Sequence, residues 1–475
     1  MKKRLLLITL LIFSGVNSFA QDRLLTVAES SNFTSTSNYK DVMTFIDHLR
    51  ELSPLIRVEN IAESVEGRDV PLLIIGKPVP KGPEELKNDG RIVIYVQANI
   101  HAGEVEGKEA VLMFARDLLS GKHTGLLDNV VFLLCPNFNP DGNEPISPLN
   151  RTYQNGPVNG VGVRYNGQML DLNRDAMKVE SPEVRGVIAN VFNRWDPSVF
   201  MDCHTTNGSY HVEPVTFTWM VNPNGDNELI KYMRDFMAPA MSERLSNEYG
   251  VENCFYGEFN DMANPETGWF YDAAETRYMS NYFGLRNRLG ILNENYVYAD
   301  YESRVKGCYW LIRSLADYAS ANKDEIRDMI SKADAKTVSR GLNPAVTDSF
   351  AIEYEVKPAP EKATIKTYEA KLVGEVDGWK RYEKTDIQKT VTVPYYVDYY
   401  GTRHVKFPYA YLLKISDPDI VNLLAACLLE PQSNDGLMTW NYLDRYLVPQ
   451  WGSGYNPYPV YKVIDKVDLK TKSRN

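Results

Sequence analysis

Histidine is scarce in this chain, six in 475 residues, and cysteine scarcer still, five in all. The cysteines stand at 135, 203, 254, 308 and 427, odd in number and without a C-x-x-C pair. That excludes a small scaffold knotted by disulfides. Cys135 in VVFLLCP and Cys203 in VFMDCH lie in strand-like runs and read as buried free thiols; a Cys254–Cys308 bond is compatible with an exported protein, but no spacing supports it. Long apolar runs are missing beyond the first twenty residues, which excludes a polytopic membrane protein. Positive charge is in deficit, 52 basic against 62 acidic groups, for a net charge of −10. Such a chain has no electrostatic footprint for nucleic acid and is repelled by anionic membrane surfaces. With 44% hydrophobic and 24% charged residues the composition is that of globular domains, and its length suggests two or three of them.

The one apolar run belongs to a leader. Lys2-Lys3-Arg4 form a positive start, Leu5 to Phe13 an apolar stretch too short to span a bilayer, and Ser18-Phe19-Ala20 a small-x-small cleavage site. Residues 1–20 are therefore expected to be a signal peptide, and the protein to be exported, periplasmic or extracellular, with no stable membrane insertion. No cysteine follows the apolar stretch to carry a lipid.

Residues 38–52 place Val42, Phe45, Ile46 and Leu49 at helical spacing. Two extended runs then meet at Glu66-Gly67-Arg68, a hairpin pattern, and RIVIYVQANI (91–100) is the near-continuous apolar run of a central strand covered on both faces. Helix and strand patterns alternate to about 320, with helices at about 227–247 and 303–320 and a strand at about 288–297. Residues 143–170, rich in Asn and Gly and without periodicity, read as a long surface loop, and loops of that length are commonly functional. The expected fold class is α/β, a mixed, mostly parallel central sheet with helices on both faces. After 325 the texture changes to Thr, Val, Tyr and Lys with partial alternation. Residues 21–325 are expected to form a catalytic domain and 326–475 a smaller strand-rich accessory domain, entered through a polar helical connector at 326–340, with helical pieces near 418–430 and 438–447. Tyr395, Tyr396, Tyr399, Tyr400, Tyr409 and Tyr411 are expected to pack as cross-strand pairs against the first domain rather than to stack on sugars.

With so few histidines their placement is informative. His101 and Glu104 follow one central strand directly, and His204 follows another. In open α/β sheets ligands bind beyond the carboxyl ends of strands. Two imidazoles and one carboxylate at that edge are a ligand set for one catalytic zinc per chain with an open fourth position. Neutral imidazoles and a single anionic oxygen leave zinc electrophilic enough to acidify water or polarise a carbonyl.

Further fragments follow in order: PLLIIG, HAGE, NFNPDG, DLNRD (171–175), MDCHT and ILNEN. Together, over about residues 38–325, they resemble the zinc carboxypeptidase family. YMSNYFGLRNRLGILNENYVYADYESRV resembles a secreted bacterial branch of it that carries a C-terminal extension, here LLEPQSNDGLMTWNYLD (428–444). The resemblance implies a metallopeptidase that uses a zinc-activated water on peptides with a free C-terminal carboxylate. It implies zinc ligation by His101, Glu104 and His204, and Glu294 as general base and then proton donor to the leaving amine. Asn173 and Arg174 match the pair that grips the terminal carboxylate, and Asp171 a carboxylate bonded to a ligating histidine. An arginine after NPDG polarises the scissile carbonyl; Arg151 and Arg164 both qualify, and the nearer, Arg151, is favoured. Asp202 is a second acid able to fix an imidazole tautomer. Gly103 stands where many relatives carry arginine, and Arg277 is a candidate to supply that charge. The substrate-capping tyrosine is one of Tyr271, Tyr278 and Tyr282, of which Tyr282 is carried forward. Two alternatives stay open: a zinc amide hydrolase for cell-wall peptides or acylated amino acids, and an inactive binding protein on the same scaffold. Oligomeric state is not legible.

Overall fold

A computed structural model describes residues 24–406, apart from 207 and 377, together with 432–434 and 437–439. The leader, Tyr409, Tyr411, Cys427 and the helix expected near 418–430 lie outside the described residues. Where a helix was expected from 438, Leu437–Thr439 instead pairs antiparallel with Gln432–Asn434. Residues 440–447 of that expected helix lie outside the described residues.

The main sheet has eight strands: β1 (Ile56–Glu63), β2 (Asp69–Ile75), β3 (Ile92–Ala98), β4 (Val130–Cys135), β5 (Val199–Thr205), β6 (Val215–Trp219), β7 (Asn253–Phe255) and, later in the chain, a strand at Leu289–Asn295. Between β7 and that last strand come β8 (Glu258–Phe259) and β9 (Trp269–Phe270), so Leu289–Asn295 is β10. The spatial order is β1-β2-β4-β3-β5-β10-β6-β7. The four central strands β4-β3-β5-β10 run parallel, while β1, β2 and β6 are antiparallel to their inner neighbours. Every residue of β3, β4 and β5 is buried, as continuous apolar runs covered on both faces require. Alternate side chains feed two cores: Ile92, Ile94 and Val96 face helices 39–52, 106–119 and 301–321, and Val93 and Tyr95 face helices 182–187 and 279–285.

Helix Glu106–Leu119, which directly follows HAGE, is buried along its whole length. It lies so close to the sheet that a Cβ on Gly107 would fall 2.5 Å from Cys203 Cβ and 3.1 Å from Ala98 Cβ. Only glycine permits that approach. The helix at 227–247 contains a π turn at Met233–Met237, immediately before Pro239, whose missing N–H breaks the regular ladder. The irregular stretch 143–170 folds back on itself, Ser147 pairing with Val161, and buries Val161 and Asn166.

Helix Lys323–Leu342 covers the expected connector, and a smaller β-rich region follows: β11 (Ser349–Pro358), β12 (Ala363–Val376), β13 (Trp379–Val393) and β14 (Tyr395–Lys406). β12 and β13 form a long hairpin, while β11 and β14 join β9 and β8 in one four-stranded sheet. Strands from before and after residue 325 thus share backbone hydrogen bonds, and Ile365, Val391, Val393, Tyr395 and Val397 belong to the apolar core of the main sheet. Three of the tyrosines pack against the first domain as expected: Tyr395 OH donates to Tyr256 O at 2.8 Å, Tyr399 OH to Tyr271 O at 2.7 Å, and Tyr396 stacks on Phe270 at 4.1 Å, whereas the exposed Tyr400 donates to Glu355 at 2.9 Å. No helix among the described residues is long and apolar enough to cross a membrane. Cys135, Cys203, Cys254 and Cys308 are buried free thiols, so the Cys254–Cys308 bond does not form.

Candidate active site

Three adjacent parallel strands end at the same edge of the sheet. Ala98 of β3 is level with Cys203 of β5, and His204 of β5 is level with Glu294 of β10. His101 and Glu104 lie in the tight turn that leaves β3, where the Glu104 N–H donates to His101 O at 2.9 Å. The ligand atoms of His101, Glu104 and His204 all lie within 4.8 Å of one another, and all three residues are buried. His204 Nδ1 is 3.2 Å from His101 Nδ1 and 3.0 Å from Glu104 Oε2; His101 Nδ1 is 3.2 Å from Glu104 Oε1.

Carboxylates hold the far nitrogens of both rings. Asp171 Oδ1 is 3.0 Å from His101 Nε2, and Asp202 Oδ2 is 3.0 Å from His204 Nε2. A proton retained at each Nε2 turns both Nδ1 lone pairs toward Glu104 and toward each other. Two such lone pairs and a carboxylate at this spacing repel unless a cation sits among them. The donor set, two imidazole nitrogens and one carboxylate, fits zinc.

The charges respond accordingly. Burial would lower the pKa of His204, but Asp202 and Glu104 outweigh it and hold it well above the ordinary imidazole value. Burial would raise Glu104, yet His101 and Arg151 hold it well below the carboxylate range. Asp171 is likewise depressed, by His101 and then the arginines 164 and 174, against its own desolvation. Glu294 goes the other way: desolvation and the Glu104 charge push it up to about 8, opposed by His204, Arg164 and Arg151. The residue is half-buried.

Arg151 and Arg164 both reach this centre. Arg151 Nη1 donates to Glu104 Oε1 at 3.0 Å and its Nε to Gln154 Oε1 at 2.8 Å. Its side chain fills the space over Gly103, where an added Cβ would lie 2.5 Å from Arg151 Cδ. Arg151 thus brings its guanidinium over Gly103, while Arg277, the other candidate for the charge absent there, lies 3.2 Å from Glu275. Arg164 Nε donates to Asp171 Oδ2 at 2.8 Å, and its Nη1 is 3.2 Å from His101 Nδ1. Arg164 is the more open of the two, 27% exposed against 9%.

Asn173 is committed inside the protein: Oδ1 accepts from Met279 N–H at 3.1 Å, and Nδ2 lies 3.4 Å from His204 Nε2. Arg174 is partly exposed, donates to Asn173 O at 2.9 Å and lies 4.4 Å over the Tyr278 ring, with no ion-pair partner among the described residues. Tyr282 is corrected: at 1% exposure it is a core residue stacked on Phe192, because its helix turns it beneath the sheet. Tyr271 is buried too, within reach of the Glu294 charge, and Tyr278 lies between Arg174 and Arg277.

Three supports escape sequence reasoning. Tyr95 OH donates to Gln97 Oε1 at 2.8 Å, and Gln97 Nε2 to Asp202 Oδ1 at 3.2 Å, a buried chain that fixes the acid behind His204. The signal was available, a glutamine inside an otherwise apolar strand. Gln154, in the irregular loop, carries no such signal; nor does Thr205, whose backbone N–H donates to Glu104 Oε2 at 3.1 Å.

Human carboxypeptidase Z is 26% identical over 329 residues, covering 62% of this chain and 47% of that protein. Carboxypeptidase B of Astacus astacus is 31% identical over 114 residues, 23% of this chain and 35% of its own. The chain thus spans less than half the length of these relatives. Among solved structures, a putative carboxypeptidase A from Shewanella denitrificans OS-217 shares 21% identity at a TM-score of 0.44, covering 60% of this chain and 69% of its own. The profile of the zinc carboxypeptidase family matches residues 42–287, which takes in the three clustered ligands and both arginines and stops short of Glu294. By that match, over half of its length, the chain belongs to the zinc carboxypeptidase family.

Proposed function

We propose that the chain is an exported, zinc-dependent metallocarboxypeptidase of the secreted bacterial branch of this family, releasing C-terminal residues from peptides or peptide-like substrates. Export rests on the leader grammar of residues 1–20, and the branch on the C-terminal LLEP-to-tryptophan segment. The observation that carries the activity is the convergence of His101 Nδ1, His204 Nδ1 and Glu104 with Glu294 level with His204 on the next strand.

When bound by these three residues, zinc supplies a Lewis acid for the scissile carbonyl and lowers the pKa of water. Glu294 takes the proton of the attacking water and hands it to the departing amine nitrogen, which leaves poorly unless protonated. Burial and Glu104 push the Glu294 pKa up in the metal-free site, and a cation bound beside it would draw it back down, so that it would start as the carboxylate. Arg164 stabilises the oxygen that develops negative charge, being the more open guanidinium beside the ligands. Arg151 positions Glu104 through their shared hydrogen bond. Arg174, which makes no ion pair among the described residues, takes the C-terminal carboxylate of the substrate in the two-pronged geometry that suits guanidinium, and Tyr278 closes over it.

The test is amino-acid release from a panel of peptides beside the same peptides amidated, with and without a chelator. Release from free-acid peptides alone, abolished by chelation and restored by zinc, is the expected result. Arg174→Ala should lose the preference for the free acid, because no cation remains to recognise it. Equal cleavage of amidated peptides by the native enzyme would contradict the assignment.

A further inference from the structure

A second group of metal-ligating side chains lies outside this site. His211, Glu213 and Cys254 are all buried, and their ligand atoms lie within 4.8 Å of one another. His211 Nδ1 and Glu213 Oε2 are 3.7 Å apart. Bonds of about 2.0–2.3 Å to a tetrahedral zinc put two ligands about 3.3–3.8 Å from each other. His211 is 1% exposed, and its Nδ1 has no hydrogen-bond partner. An orphaned imidazole nitrogen so deeply buried is costly, and it is aimed at the carboxylate and the thiol.

The surroundings hold the three donors in place. The His211 ring lies 3.7 Å from the Tyr296 ring, and the His211 N–H donates to Tyr296 OH at 3.1 Å. Glu213 Oε1 accepts the Lys366 N–H at 2.8 Å, and Oε2, which also accepts the Val212 N–H at 3.3 Å, lies toward His211.

We propose that His211, Glu213 and Cys254 form a second, structural site for a zinc-like divalent transition-metal cation. Mixed nitrogen, oxygen and sulfur donors select such a cation over calcium or magnesium, which take oxygen alone. On binding, the Cys254 thiol gives up its proton to solvent and the sulfur becomes a thiolate ligand. The site sits where the chain after β5 meets β12: His211 bridges to Thr367, and the Val212 N–H donates to Lys366 O at 2.9 Å. A bound ion would therefore tie the segment after β5, which carries His211 and Glu213 and pairs with β12, to β7, which carries Cys254. The inference is independent of the catalytic reading, because the first site contains no sulfur ligand.

Cobalt substitution separates the two sites. The metal-free native chain, titrated with cobalt, should take up two ions and develop a near-ultraviolet thiolate-to-cobalt charge-transfer band. His204→Ala should keep that band with one ion, and Cys254→Ser should lose it with one ion. Uptake of cobalt by the native chain without a thiolate band would overturn the proposal whatever the fold of the variants. So would a band that survives in folded Cys254→Ser, since another cysteine would then be its source.

Discussion

Gly107→Ala tests how the catalytic centre is held, because two known effects pull in opposite directions. Alanine is favoured over glycine in a helix interior by about 0.8–1.0 kcal/mol, an upper bound for Gly107, the second residue of its helix. Here the new methyl would sit 2.5 Å from Cys203 Cβ and 3.1 Å from Ala98 Cβ. Carbon atoms rest at about 3.5–4.0 Å, so the helix must lift from β5 by about 1 Å. Overpacking of this kind costs about 1–3 kcal/mol, leaving a net loss of up to about 2 kcal/mol after the helical gain. The lift has a second consequence. Glu104 enters this helix and is tied to β5 by the Thr205 N–H at 3.1 Å. Metal sites tolerate ligand displacements of only about 0.2 Å, so zinc affinity should fall at least about tenfold. Urea unfolding of the metal-free protein reads the first effect, and competition against a chromophoric chelator reads the second. A variant that gains stability and binds zinc as tightly as the native chain would refute the close-packing argument.

Asp202→Asn should weaken zinc binding by about 10- to 100-fold, as loss of an acid behind a ligating histidine does, and the same competition assay measures it. Zinc affinity should rise with pH: burial alone would lower His204, but Asp202 and Glu104 raise it, so the metal-free site retains a proton that zinc must displace. Calorimetry in buffers of different ionisation enthalpy should show that proton released, and affinity that falls as pH rises would contradict the assignment. Tyr395→Phe removes the hydroxyl that Tyr256 O accepts and should cost about 1 kcal/mol, read as a lowered thermal midpoint.

The fold was legible where burial leaves a one-dimensional mark. The apolar runs of β3, β4 and β5 announced central strands, and the residues just past them announced the metal ligands. Asp171 and Asp202 could be named because they lie two residues from other site residues and carry charge. The arginines were harder. Arg151 and Arg164 both follow NPDG, and only the folded loop shows that one fills the space over Gly103 while the other faces His101. Tyr282 misled because a helical face cannot be assigned from three tyrosines at 271, 278 and 282 without knowing which side meets the sheet. The shared sheet of β8, β9, β11 and β14 could not be read either, since pairing between distant strands leaves no local pattern.

The central claim is that Glu294, at the edge shared by the zinc ligands, moves the proton in amide hydrolysis. Glu294→Gln keeps the shape and hydrogen-bonding capacity of the side chain but cannot accept that proton. Turnover on a free-acid peptide should fall by about 10²–10⁴-fold while zinc content and peptide affinity stay at native values. Turnover equal to that of the native enzyme, with one zinc still in the catalytic site, would remove Glu294 from the reaction.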